Sequence, residues 1–208
     1  MDFFDFHHHK KNIFFGIYNL DQNSIPTNVS YSIGIHPKAI NLSNIKEQFS
    51  WLESNITESC IAIGECGLDS FADTDLKVQE EVFLRQIRIA NEIKKPVIIH
   101  CVRKFYEMIS FKKYAEQPMI IHGFNKKESI AEDLLKNNFY LSFGKALLYN
   151  LSLQNTLRIT PLDKIFLETD NDDFDIRDLY LKAAEIKNIS PEDLHQQVLE
   201  NLETIKNG

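Results

Sequence analysis

Residues 2–9 read Asp-Phe-Phe-Asp-Phe-His-His-His, an apolar run that ends in three histidines. The same layout returns at 61–65, Ile-Ala-Ile-Gly-Glu, and at 97–100, Val-Ile-Ile-His. Short apolar runs bounded by polar residues are typical of strands that are buried on both faces. These stretches therefore predict parallel strands with polar, chemically active side chains at their carboxyl ends.

The rest of the chain alternates similar apolar runs with amphipathic helical patterns. Strands are predicted at 2–6, 13–19, 30–35, 61–65, 97–100, 119–122, 139–143 and 165–168. Helices are predicted at 44–55, 75–94, 103–115, 128–137, 176–187 and 191–206. Eight such strands alternating with helices predict an α/β fold, a closed (β/α)₈ TIM barrel.

The first third departs from this alternation. Three residues, Lys10 to Asn12, separate the first two predicted strands, and ten separate the second from the third, too few for ordinary crossover helices. Either the first two barrel helices are missing, or the run 13–19 is a hairpin partner outside the barrel. We predict one barrel domain over residues 1–208, abbreviated in its first third.

Composition limits the possible functions. No apolar run approaches the roughly 18 residues of a membrane span, and the first residues lack the pattern of a secretory signal. Three cysteines without a disulfide-framework spacing suit a reducing compartment, so we expect a cytoplasmic protein, with a monomer favoured. The formal net charge of −7 argues against broad coating of nucleic acid, so any phosphate preference must come from the site itself.

The histidines fall where a barrel would bring them together. Six of the seven lie at the carboxyl ends of predicted strands: His7, His8, His9, His36, His100 and His122. In a parallel barrel these ends share one rim, which hosts the active site. Glu65 and Asp170 close two further strands, and a carboxylate can bridge two cations. In an extended segment His7 and His9 point the same way and His8 points to the opposite face.

Each of these residues also has a structural interpretation. A single histidine at a strand end is commonly a structural residue, and Glu65 or Asp170 alone could cap a helix or lie in a loop. His36 either contacts a substrate oxyanion or packs beside Pro37, and Arg103 is either an anion clamp or an exposed helix residue. Cys66 and Cys101 are expected to be structural.

An ordered series of motifs resembles the TatD family of metal-dependent deoxyribonucleases, among the amidohydrolase-like metallo-barrels. The matching segments are Phe4 to His9 (D-x-H-x-H), Ser32 to Pro37 (GIHP), Ile63 to Asp69 (IGE-x-GLD), Gln79 with Phe83 to Gln86, Val97 to His100, Ile120 to Phe124 (HCF), Tyr140 to Gly144 and Leu167 to Asp170. Eight motifs in order, over most of the chain, give the resemblance its specificity.

The resemblance implies a centre of two divalent metal ions. His7 and His9 with Glu65 and Asp170 would hold one ion, and Glu65, His100 and His122 the second, so that Glu65 bridges them. The imidazoles favour zinc, nickel or cobalt, and the carboxylates tolerate magnesium or manganese. Glu65 and Asp170 are the expected catalytic residues, since cations sharing Glu65 would activate a water that Asp170 orients. His36 and Arg103 are the expected substrate contacts.

Two departures from the family pattern leave three functions open. The loop Asn171-Asp172-Asp173-Phe174-Asp175 is acidic, and Arg103 stands three residues after His100 where the family has H-x-R. The first function is cleavage of phosphodiester bonds in DNA by a metal-activated water, trimming single strands from an end. The second is hydrolysis of a small-molecule ester, amide or phosphate on the same barrel, which the acidic loop favours. The third is a catalytically lapsed barrel that serves as a binding subunit.

Overall fold

The computed structural model describes residues 2–22, 24 and 29–207, and its centre is a parallel sheet of eight strands in chain order. The strands are β1 (Asp5–His8), β2 (Gly16–Leu20), β3 (Tyr31–Ile33), β4 (Cys60–Asp69), β5 (Val97–Val102), β6 (Met119–Ile121), β7 (Phe139–Phe143) and β8 (Ile165–Leu167). Each strand pairs in parallel with the next. A bridge from His8 to Asp170 joins the two ends of the sheet. The predicted TIM barrel is confirmed.

Seven α-helices of the described residues surround the sheet. They are α1 (Ile45–Ser54), α2 (Leu76–Ile93), α3 (Phe105–Phe111), α4 (Glu128–Lys136), α5 (Leu151–Ile159), α6 (Ile176–Lys187) and α7 (Pro191–Lys206). The sequence prediction lacked α5, which Asn150 caps by accepting a hydrogen bond from the Leu153 N–H and which buries Leu153 and Leu157. None of the described helices is both long and apolar enough to cross a bilayer.

The described residues that connect β1, β2 and β3 contain no crossover helix. β2 lies between β1 and β3 and pairs in parallel with both, so the run 13–19 is a barrel strand and the hairpin alternative is wrong. The seven residues 9–15 connect β1 to β2 with no helix. Seven extended residues reach roughly 23 Å, more than the rise of β1, about 13 Å, so an extended chain suffices for the return. The predicted loss of the first helices is confirmed for residues 9–15 and, between β2 and β3, for the residues that the structure describes.

A bulge in β4 turns Glu65 into the barrel. The register between β4 and β5 shifts between Ile63 and Cys66, because β4 has one residue more than β5 between these two paired positions. Gly64 has φ 150° there, and a Cβ atom on it would come within 2.4 Å of the Ile98 carbonyl oxygen. Only glycine adopts this conformation without strain, so Gly64 permits the bulge that aims Glu65.

The seam between β1 and the end of β8 is held by main-chain and carboxylate hydrogen bonds. The Asp170 N–H donates to the His7 carbonyl (2.9 Å), and the His9 N–H donates to the Asp170 carbonyl (3.2 Å). The buried Asp5 carboxylate accepts hydrogen bonds from the Thr169 N–H (2.9 Å) and hydroxyl (2.6 Å). The closure of the barrel therefore fixes His7, His9 and Asp170 relative to one another.

Candidate metal centre

A cavity of about 460 Å³ opens at the carboxyl ends of the strands. The residues that line it are His9, Asn19, Asp21, His36, Lys38, Ala39, Glu65, His100, His122, Asp170 and Asn171. They come from seven of the strands or from the loops directly after them, so residues far apart in sequence meet at one rim. His7 lies beneath this cavity, fully buried.

One side of the centre brings together His7, His9 and Asp170. The Nε2 atom of His9 lies 3.3 Å from Asp170 Oδ1, and that of His7 lies 3.8 Å from it. Glu65 Oε2 lies 3.6 Å from His7 Nε2 and 3.7 Å from His9 Nε2. Two ligands about 2.1 Å from one tetrahedral ion are roughly 3.4 Å apart, so these spacings suit a shared cation. His8 lies on the other face of β1, against Gly16 and Tyr18.

The other side brings His100 and His122 to Glu65. Glu65 Oε1 lies 2.8 Å from His100 Nδ1 and 2.8 Å from His122 Nε2. Glu65 is itself almost fully buried and contacts both sides of the centre, Oε2 facing one and Oε1 the other. Glu65 therefore offers one carboxylate oxygen to each side of the centre.

Two buried carboxylates set the tautomers of these histidines. Asp69 Oδ2 lies 3.0 Å from His100 Nε2, and Glu168 Oε1 lies 3.3 Å from His122 Nδ1. An ionised carboxylate only accepts, so each imidazole carries its proton on the nitrogen facing Asp69 or Glu168. The same rule places a proton on the ring nitrogens that face Glu65 when no cation is bound, and a cation would take the place of those protons. Such carboxylate and histidine pairs are typical of the surroundings of metal ligands.

The histidines and carboxylates around Glu65 form a site that favours a bound positive charge. Both ring nitrogens of the buried His7 lack a hydrogen-bond partner among the described residues, and the ring nitrogens of His100 and His122 converge on the negative Glu65. Burial lowers the pKa of His9, but Asp170 and Glu65 raise it to about 9. Burial raises the pKa of Glu65, yet the contacts with His122, His100 and His36 hold it well below its usual range. The donor set therefore fits divalent cations, for which protons substitute when the cations are absent.

Comparison with known proteins identifies the family. The family model described as TatD related DNase matches residues 16–207. The chain belongs to the TatD family. A protein of Buchnera aphidicola subsp. Baizongia pistaciae, named as an uncharacterized metal-dependent hydrolase, is 30% identical over 193 residues, which cover 84% of this chain and 72% of the relative. The human 3′-5′ RNA nuclease TATDN2 is 30% identical over 148 residues, 67% of this chain and 19% of that protein.

The fold agrees with this membership. The crystal structure of the TatD homologue YjjV from Escherichia coli K12 superposes with a TM-score of 0.84 at 18% identity, covering 99% of this chain and 98% of that one. Together with the cluster of histidines and carboxylates, these relationships make the chain a metal-dependent hydrolase of the TatD family.

The two glutamines of the family-like helix motif hold the loops around the centre. Gln86 Oε1 accepts a hydrogen bond from the Ile35 N–H (2.7 Å), and its Nε2 donates to the Ile35 carbonyl (3.2 Å). Gln79 does the same for Asp69, at 2.8 and 3.1 Å. Helix α2 therefore fastens the segments that carry His36 and Asp69, and both amides are buried.

The sequence prediction missed Asn19 as a site residue. Its Oδ1 accepts the Glu65 N–H (3.2 Å) and its Nδ2 donates to Glu65 Oε2 (3.4 Å), so it grips Glu65 at two points. A polar amide in the middle of the strand Ile17-Tyr18-Asn19-Leu20 was the available signal. Asp69 and Glu168 were likewise missed as supports, although both lie within quoted motifs.

His36 enters the centre more deeply than expected. Its Nε2 lies 3.4 Å from Glu65 Oε1, and His36, Glu65 and His100 form one of the groups able to hold a cation. However, His36 Nδ1 accepts a hydrogen bond from the Lys38 N–H (3.0 Å). A neutral ring that accepts at Nδ1 carries its proton at Nε2, so His36 faces the cavity as a donor. This geometry suits a contact to a substrate oxyanion better than ligation.

Arg103 does not line the cavity of the centre. It is exposed, and its guanidinium lies over the ring of Phe71, 4.6 Å from the ring centroid. The structural cysteines also stay apart, since the candidate cation groups among the described residues contain none. Burial raises the pKa of Cys101 to about 12, which disfavours a thiolate.

Lysines from two other loops pair with the acidic loop after β8. Lys145 Nζ lies 3.2 Å from Asp172 Oδ1, and Lys10 Nζ lies 3.5 Å from Asp173 Oδ1. Asp175 caps α6 by accepting the Arg177 N–H. The negative charge of the loop is therefore partly offset where it borders the cavity.

Proposed function

We propose that this chain hydrolyses phosphodiester bonds of DNA, with one barrel over residues 1–208 as the catalytic unit. The observation that carries the proposal is the position of Glu65, between the imidazoles of His7, His9, His100 and His122 at 2.8–3.7 Å. No other group of the described residues combines so many potential ligands.

In this proposal Glu65 would serve as a ligand to each of two divalent ions. His7, His9 and Asp170 would complete the ligands of one ion, and His100 and His122 those of the other. When bound, such ions supply a nucleophile near neutral pH and polarise the scissile phosphoryl oxygen. The identity of the ions follows cellular supply as much as ligand chemistry, because this mixed nitrogen and oxygen set accepts zinc, nickel, cobalt, manganese or magnesium.

The residues of the chain then divide the remaining work. Asp170 has a side chain that is 39% exposed towards the cavity, so its carboxylate can take the proton of the attacking water and release it to solvent. The Nε2–H of His36 donates to a developing oxyanion. Asn19 keeps Glu65 in one orientation, so that neither contact has to be rebuilt during the reaction.

Nucleic acid is favoured by charge around the rim and by the relatives. The loops after β5, β6 and β7 carry Arg103, Lys104, Lys126, Lys127 and Lys145, although the whole chain has a net charge of −7. These side chains can contact the phosphates of a nucleic-acid strand that lies across the opening of the cavity. One relative is named as an RNA nuclease and another, from zebrafish, as a putative deoxyribonuclease.

A labelled single-stranded oligodeoxynucleotide tests the proposal. Purified protein stripped of metal and resupplied with manganese or zinc should cleave it, and EDTA should stop the reaction. Glu65→Ala and Asp170→Asn should each abolish cleavage and keep the circular dichroism of the wild type. Glu132→Ala, an exposed carboxylate of α4, is the matched control and should cleave normally. Full metal-supported activity of Glu65→Ala would overturn the mechanism.

A second function, hydrolysis of a small ester, amide or phosphate, is supported by the size of the cavity. Its volume of about 460 Å³ lies within the range of roughly 300–1,000 Å³ that is usual for small-molecule sites. Turnover of small substrates without any cleavage of the oligonucleotide would select this function instead.

A further inference from the structure

An exposed aromatic ring stands at the rim beside the metal centre. Phe71 follows the end of β4, and 61% of its surface is exposed. The guanidinium of Arg103, from the loop after β5, lies over this ring at 4.6 Å from the centroid. An arginine over an aromatic ring forms a planar, cationic surface.

One carboxylate ties this ring to the candidate ligands. Asp69 Oδ1 accepts the N–H of Phe71 (2.8 Å), and Asp69 Oδ2 accepts from His100 Nε2 (3.0 Å). Asp69 is fully buried, and Lys38 Nζ also lies 3.2 Å from Oδ2. The backbone of Phe71 is therefore fixed by the same side chain that orients His100, so the ring is held at a defined place next to the cavity.

Cations continue from this ring along the rim. Lys104 follows Arg103 directly, and Lys126 and Lys127 lie in the next loop, after β6. The Nζ of Lys126 lies 6.0 Å from the centroid of Phe105, the first residue of α3. Phe105 is buried, so Phe71 is the ring of this group that a base can reach. An exposed ring beside several cations suits single-stranded nucleic acid, because a base can stack on the ring while the phosphates contact the cations.

We propose that Phe71 and Arg103 form a stacking step for a nucleobase that flanks the scissile phosphate. This inference rests on the proposed function and adds to it that the substrate must present an unstacked base. A base in a continuous duplex has both faces covered by its neighbours, whereas a base near a strand end or in a single strand has a free face that can stack on the ring of Phe71. The stacking step would thus place the neighbouring phosphate over the centre.

Binding without cleavage tests the step directly. Fluorescence anisotropy in EDTA would compare a labelled oligothymidylate with a strand of equal length made of abasic sites. We expect the wild type to bind the oligothymidylate about tenfold more tightly than the abasic strand, since stacking of one base supports a change of this size. Phe71→Ala should lose this difference, Phe71→Trp should keep it, and Arg103→Ala should reduce it.

Phe14→Ala is the matched control. Phe14 is 76% exposed, but it lies in the connection between β1 and β2, just before the start of β2 and away from the strand ends that carry the centre. This variant should retain the full difference between the two strands. Equal binding of both strands by the wild type, no binding at all, or an unchanged difference in Phe71→Ala would overturn the stacking step.

Hydrolysis of a diester without bases separates this inference from the proposed function. If the metal-loaded wild type cleaves neither that diester nor DNA, the proposed function fails, while the anisotropy result still decides whether Phe71 stacks a base. If the wild type cleaves both and Phe71→Ala binds like the wild type, the function stands and the stacking step is wrong.

Discussion

The two halves of the barrel hold their shares of the metal centre in different ways. In the half formed by β4 to β8, helices back the strands, and His100 and His122 each have a buried carboxylate partner. In the half formed by β1 to β3, the described connections contain no crossover helix, and the nitrogens of His7 have no hydrogen-bond partner among the described residues. The protein thus preorganises the ligands in the half formed by β4 to β8, whereas the position of His7 in the half formed by β1 to β3 depends more on the ion.

The largest expected difference between the halves concerns packing. Phe83→Ala in α2 removes a fully buried ring that packs against Phe111, and we expect it to cost roughly 3–5 kcal/mol of unfolding free energy. Phe14→Ala, in the uncovered half, should change it by less than about 0.5 kcal/mol, because its ring is 76% exposed. Urea unfolding of both variants measures the contrast, and equal losses would contradict it.

The next effect concerns the carboxylate partners. Glu168 accepts hydrogen bonds from the Gly123 N–H and the Ser142 hydroxyl and faces His122 Nδ1. Glu168→Gln keeps the shape but weakens the hold on the tautomer of His122, so metal affinity should fall by about 10–100-fold. Calorimetric titration with zinc measures this. An affinity equal to that of the wild type would show that His122 needs no partner.

A smaller effect is expected from Asn19, the amide that reaches Glu65 from the half without helices. Asn19→Ala removes the acceptor of the Glu65 N–H and should lower both unfolding free energy by about 1–2 kcal/mol and turnover several-fold. The pH profile of kcat should also shift, because Glu65 loses a donor to its carboxylate. Asn137→Ala, on the exposed end of α4, is the control and should leave the profile unchanged.

The smallest effect is a pH dependence of the metal-free protein. The folded pKa of His9 is about 9, above its ordinary value of 6.5, and that of His122 is also raised. Groups with raised pKa values stabilise the fold fully below pH 6.5, and this contribution is lost as the pH rises through 9. In EDTA the Tm should therefore fall from pH 6.5 to 9. Saturating zinc should remove the decline, and an unchanged slope with zinc would contradict a shared site.

The sequence predicted most of the fold because its periodicity is local. All eight strands appear at or near their predicted places, and six helices agree. The prediction missed α5, a short helix of nine residues that leaves two of its four apolar side chains, Leu151 and Ile159, exposed. It placed the first strand at 2–6, whereas β1 spans Asp5–His8, because pairing with β2 begins only at Asp5. Such pairing depends on residues distant along the chain.

By itself the sequence determined which chemical groups stand at strand ends, and therefore that His7, His9, Glu65, His100, His122 and Asp170 would share one rim. That conclusion needs only the period of a strand and the common direction of parallel strands. Tertiary structure alone decided that Asn19, Asp69 and Glu168 orient these groups, that His36 presents a donor, and that Arg103 rests on Phe71. Hydrogen-bond partners and ring contacts depend on distances across the barrel, which no local pattern records.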